Sequence, residues 1–151
     1  MLRTIRELFE KPVRESDSGH ERRARVAAAA LLIEVTRMDA EFSEDERAAV
    51  KEAVKAKFNL AQSEADELIS AAEREAKDAT DYHQFTREIN RAFSPEQKIA
   101  LVERLWQVAY ADRSLHKHED HLVRKVADLL YVPHAHVIAA KNRTRDSQEQ
   151  Q

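Results

Sequence analysis

The chain has 151 residues with one Gly, three Pro and no Cys, and a formal charge of −3 at neutral pH. That length suits one domain with a sizeable core, and the shortage of turn residues excludes a sheet protein. The lack of Cys excludes a disulfide framework, a thiolate metal site and a cysteine nucleophile. Residues 26–140 carry fifteen Lys/Arg against twenty-one Asp/Glu. An acidic body repels phosphate backbones, and no basic stripe, aromatic platform or zinc-finger spacing offsets this, so no nucleic-acid partner is expected. The longest apolar run, Val26 to Ile33, falls far short of the roughly 20 residues of a membrane span. Met1 is followed by Leu-Arg-Thr-Ile-Arg-Glu rather than the apolar core of a signal peptide. A soluble cytoplasmic protein is expected.

In chain order, Leu2, Ile5, Leu8 and Phe9 form one face of a short amphipathic helix that Pro12 ends. Residues 12–20 hold Ser16, Ser18 and the single Gly19 and read as a linker, so that 1–20 stand apart as an N-terminal helix and linker. A helix over about 21–38 follows, almost wholly apolar after its basic opening and therefore buried nearly all round. Ser43-Glu44-Asp45-Glu46 is a capping-box sequence opening a helix to about Lys57. Ser63 opens another, to about Lys77, and residues 81–92 read as a third with Tyr82, Phe85 and Ile89. Ser94-Pro95-Glu96-Gln97 is a strong start signal for a second buried helix that reaches about Ala111 through Leu105, Trp106 and Val108. Helices over about 117–131 and 134–142 complete a domain spanning 21–143, and the polar residues 144–151 read as a disordered tail. The fold expected is all-α: one multihelical domain in which two central buried helices are wrapped by the rest.

An internal duplication is also expected. Residues 31–50 match 104–123 at Leu32/Leu105, Val35/Val108, Asp39/Asp112, Glu46/Glu119 and Val50/Val123. Each unit is an apolar helix, an acidic turn and an amphipathic helix. In each turn the Asp closes one helix and the Glu falls at the third position of the next. The pairs Asp39/Glu46 and Asp112/Glu119 can present oxygen ligands to a hard divalent cation of the Ca²⁺ or Mg²⁺ class. They can equally pair with backbone N–H groups. Glu46 has a local explanation, reaching back to Ser43 in the capping box. Glu119 has less of one, because His116 stands where Ser43 stood. Acids seven apart with no Gly available do not make an EF-hand.

His116, His118 and His121 cluster beside the second turn, and His118 and His121 can share a helix face as transition-metal ligands. A solvated polar helix start is the favoured reading of them. A Gly-rich phosphate loop, a nucleophile elbow and a His-Glu-x-x-His motif are all missing, so no enzyme is expected. Arg22, Arg23 and Arg25 beside the N-terminal helix give at most weak contact with an anionic membrane surface.

The run Ala30-Leu31-Leu32-Ile33-Glu34-Val35-Thr36-Arg37-Met38-Asp39, then Phe42 and Glu46, resembles the TerB-like family named for tellurite resistance. So does its echo Val108-Ala109-Tyr110-Ala111-Asp112, then Leu115 and Glu119. The resemblance covers roughly residues 25–140. It implies an all-α fold with two central buried helices and acidic clusters proposed to bind divalent metal. It also implies a protein partner and a place in bacterial stress response, sometimes at the inner membrane surface. Carried over by position, the metal residues are Asp39, Glu46, Asp112 and Glu119. The family's Gly after Asp is Ala40 in the first turn and Arg113 in the second, which makes a left-handed loop conformation costlier. Tellurite need not be a ligand, since the family name records a phenotype.

Overall fold

The computed structural model describes residues 15–36, 44–79, 81–110 and 117–149. Among them are seven α-helices and no strand: α1 Glu15–Thr36, α2 Glu44–Phe58, α3 Gln62–Asp78, α4 His83–Ala92, α5 Pro95–Ala109, α6 Lys117–Leu129 and α7 His134–Glu149. The N-terminal amphipathic helix, both turns proper, Ser43 and His116 lie outside the described residues.

Burial follows the apolar runs. In α1, every residue from Ala27 to Ile33 is buried, together with Ala24 and Val35. Four consecutive alanines in that run let neighbouring helix axes come close, and α1 packs against α2, α3, α4, α5 and α6. In α5, Leu101, Val102, Leu105, Trp106, Val108 and Ala109 are buried, and this helix packs against α1, α2, α6 and α7. These are the two central helices the sequence predicts. Leu32, Leu105, Val35, Val108, Val50 and Val123, the apolar members of the repeated pattern, all lie in the core.

Helix ends obey local chemistry. At the start of α5, Ser94 N–H donates to Gln97 Oε1 at 2.7 Å while Gln97 N–H donates to Ser94 Oγ at 3.2 Å, the reciprocal box read from the sequence. For α3 the expected cap, Ser63, is displaced: the helix starts at Gln62, and the Glu64 carboxylate accepts the Ala61 N–H at 2.8 Å. The helices α2 and α6 end alike, each on one residue of positive φ, Asn59 at 54° and Tyr131 at 61°. Beyond them Leu60 N–H reaches Lys55 O at 3.1 Å and Val132 N–H reaches Ala127 O at 3.0 Å. Both are Schellman closures.

Two boundaries differ from the sequence reading. The first long helix begins at Glu15 rather than near 21, so Gly19 and His20, expected in a linker, are helical. One Gly costs a helix only about 1 kcal/mol, too little to break one anchored by a long buried run. At the other end, α7 continues to Glu149 instead of stopping near 142, so residues 144–149 are helical rather than a disordered tail. Thr144 is buried there and donates to Ala140 O at 2.9 Å, and Arg143 Nε lies 2.7 Å from Glu103 Oε2 of α5. A polar segment stays helical here because it leans on a neighbour.

Candidate acidic sites at the openings of α2 and α6

The apolar stripe of α6 runs through Leu122, Val123, Val126, Ala127 and Leu130, all buried. One turn earlier on the same stripe stands Glu119, only 4% exposed. A carboxylate at a core-facing position needs a partner that compensates its lost hydration. Glu46 holds the equivalent place in α2, ahead of the buried Val50, Ala53 and Val54, and is half-buried. Both candidate glutamates therefore turn inward at the first turn of their helix. Their companions Asp39 and Asp112 lie outside the described residues.

The neighbour of Glu119 is engaged elsewhere. Asp120 Oδ1 lies 2.6 Å from Lys141 Nζ of α7, and its Oδ2 lies 2.8 Å from Arg124 Nε one turn along α6. Burial alone would raise the Asp120 carboxyl, but hydrogen bonds from Lys141 and Arg124, with their charges, hold it below the usual carboxylate range. Asp120 is thus an ionised anchor between α6 and α7. Lys141 also stands 5.4 Å from the centroid of the Trp106 ring, and Trp106 Nε1 donates to Val137 O at 3.0 Å. One polar chain, from Arg124 through Asp120 and Lys141 to the buried indole, ties α5, α6 and α7 together.

Around the first turn, α2 is clipped to α3 by an Arg47–Glu73 ion pair and by Lys51–Asp66 at 2.7 Å. Thr36, the last residue of α1, donates through Oγ1 to Ile33 O at 2.7 Å. Nearby on α4's N-terminal side, burial pushes the Tyr82 phenol up, and the negative charge of Glu34 adds to that.

Among the described residues no three His, Asp or Glu side chains come together as a metal would require. His121 is exposed; His116 and the side chain of His118 lie outside the described residues, so the imidazole reading does too. The anchoring role of Asp120 was half legible in sequence: Arg124 at i+4 is a visible partner, whereas Lys141 belongs to another helix. The inward placement of Glu46 and Glu119 also had a signal, because both fall in register with the apolar stripe that follows them.

Among the described residues, no helix is long and apolar enough to cross a membrane. No curated protein and no solved structure matches the chain. The family model described as tellurite resistance protein TerB matches residues 25–142, from the middle of α1 to the middle of α7 and across both acidic turns. With an all-α fold built on two central buried helices and that match over most of its length, the chain belongs to the TerB family.

Proposed function

We propose that the chain is a non-enzymatic module that binds a divalent cation at its acidic turns, in a bacterial stress-response setting. Asp112 with Glu119, and Asp39 with Glu46, are the candidate ligands. The observation that carries this reading is the burial of Glu119 directly beside the second turn. A solvated helix cap would leave that carboxylate in water; an inward-facing one is suited to meet a positive charge. The donor set fits a hard cation, since carboxylate and backbone carbonyl oxygens are what Ca²⁺ and Mg²⁺ prefer. When bound, such an ion would neutralise the acids and draw the flanking helices of each turn together. Calorimetric titration of the purified chain with Ca²⁺, Mg²⁺, Mn²⁺ and Zn²⁺ tests it. Heat of binding that Glu119→Gln weakens supports the reading, and silence for all four metals at millimolar concentration overturns it.

A second reading rests on Asp120, whose carboxylate already serves to join helices. By extension the turn acids only fix the turns, and the domain is a metal-free protein-interaction module. Asp112→Asn combined with Glu119→Gln then lowers thermal stability equally with and without added metal, whereas under the first reading added metal stabilises only the wild type.

A further inference from the structure

At the far end of α2 from Glu46, a cavity of about 420 Å³ is bordered by α1, α2 and α4, with Gln97 of α5 at its margin, a volume within the range of small-molecule sites. Arg25 comes from α1, Lys57 and Phe58 from the last turn of α2, and Arg91 and Phe93 from the end of α4. Phe58 and Phe93 meet edge to face with ring centroids 6.2 Å apart. The Lys57 ammonium stands 5.0 Å from the Phe93 centroid and 5.6 Å from that of Phe58, and the Arg25 guanidinium lies 5.2 Å from Phe58. Among the described lining residues the single carboxylate is Glu21, and it is held by Arg25 at 3.0 Å.

Glu88, outside the lining, also approaches Arg91 at 4.0 Å, yet Arg25, Lys57 and Arg91 outnumber these two carboxylates, so positive charge is in excess in this groove, and it is not fully hydrated. Burial, and after it the charge of Arg104, draws the Lys57 ammonium below the usual lysine range. Aromatic faces attract a cation without neutralising it, and the C-terminal end of α2 favours one only modestly. Among the described residues no carboxylate forms an ion pair with Lys57. A residue kept for packing alone would do better there as an uncharged Met or Leu.

We infer that this groove binds a small organic phosphate, with the phosphate held by Lys57, Arg25 and Arg91 and the apolar body lying against Phe58 and Phe93. Cations converging from three helices suit a tetrahedral dianion with several free oxygens, whereas one guanidinium fork already satisfies a carboxylate. The Phe pair supplies a surface for an aryl or similarly flat body. Lys57 lies roughly 16 Å along the axis of α2 from Glu46, so this site stands or falls independently of cation binding at the turns.

Calorimetry on the full chain tests it with phenyl phosphate, inorganic phosphate as the head alone, and benzoate as the carboxylate counterpart. The expected result is one phenyl phosphate per chain, with weaker binding of inorganic phosphate and about tenfold weaker binding of benzoate. Lys57→Met is expected to retain the helical circular dichroism, to melt at or above the wild-type temperature, and to lose about tenfold or more in phenyl phosphate affinity. Arg91→Gln, whose side chain is 55% exposed, perturbs the fold least and should also weaken binding. No binding at millimolar phenyl phosphate, undiminished binding by both variants, or binding only to vesicles containing phosphatidic acid would overturn the inference.

Discussion

At the scale of single residues, charge placed against the core decides most of what is particular to this chain. Asp120 illustrates a carboxylate committed to structure. Asp120→Asn keeps the shape but exchanges two charge-assisted hydrogen bonds for weaker ones. Allowing for partial solvent exposure, it should cost about 1–2 kcal/mol in urea unfolding, and Lys141→Met should cost less in the Asn background than alone, because the bond it removes is already weakened. Tyr82 illustrates the opposite sign. Its phenol is raised by burial and by Glu34, so the folded state favours the protonated form. The unfolded chain ionises first, near pH 10. The contribution of Tyr82 is thus complete below that pH and is lost as pH rises through the higher folded value. Wild type should lose stability relative to Tyr82→Phe only above about pH 10; a gap that opens near neutrality would refute this.

At the scale of elements, the starts and stops of the helices divide into those set locally and those set by neighbours. The Ser94-Pro95-Glu96-Gln97 start needs nothing beyond its own four residues, and it was fully legible. The closure of α6 is local as well, but it uses an unexpected residue. Tyr131 adopts φ 61° while 79% exposed, a conformation that disfavours any side chain with a Cβ. Tyr131→Gly should raise unfolding free energy by about 0.5–1 kcal/mol, since little packing is lost and the left-handed strain is relieved. A drop would instead show that the contact with Lys98, 5.8 Å from the ring centroid, outweighs the strain. The long reach of α7 is of the other kind. Removing residues 143–151 deletes the buried Thr144 and the Arg143–Glu103 pair, and should lower the melting temperature while leaving a cooperative transition.

At the scale of the whole molecule, two apolar helices carry the core, and α1 is the more enclosed. Leu32 is 1% exposed near the C-terminal end of α1, so Leu32→Ala should leave a cavity and cost about 2–5 kcal/mol. A cost below 1 kcal/mol would mean that the helices around α1 collapse onto the gap. The acidic turns follow these same two helices in sequence, so a cation bound there, as proposed, would be coupled to the packing of the core. The phosphate-binding groove assigned to Lys57, Arg25 and Arg91 draws on α1, α2 and α4 and uses the opposite end of α2. On the two proposals, one domain of this size would carry two chemically opposite surfaces, one for cations and one for anions.

The sequence by itself determined the all-α class, the identity of the two buried helices, the box that opens α5 and the family. These follow from periodicity and composition, which are properties of neighbours along the chain. Only the tertiary structure decided how nearly completely the inward-facing Glu119 is buried, that Asp120 is claimed by Lys141, that the polar end of α7 stays helical, and that Lys57 lies between two phenylalanines. The physical reason is common to all four. Each depends on a side chain meeting a partner from another helix, or losing water to one, and no one-dimensional pattern records which helices meet.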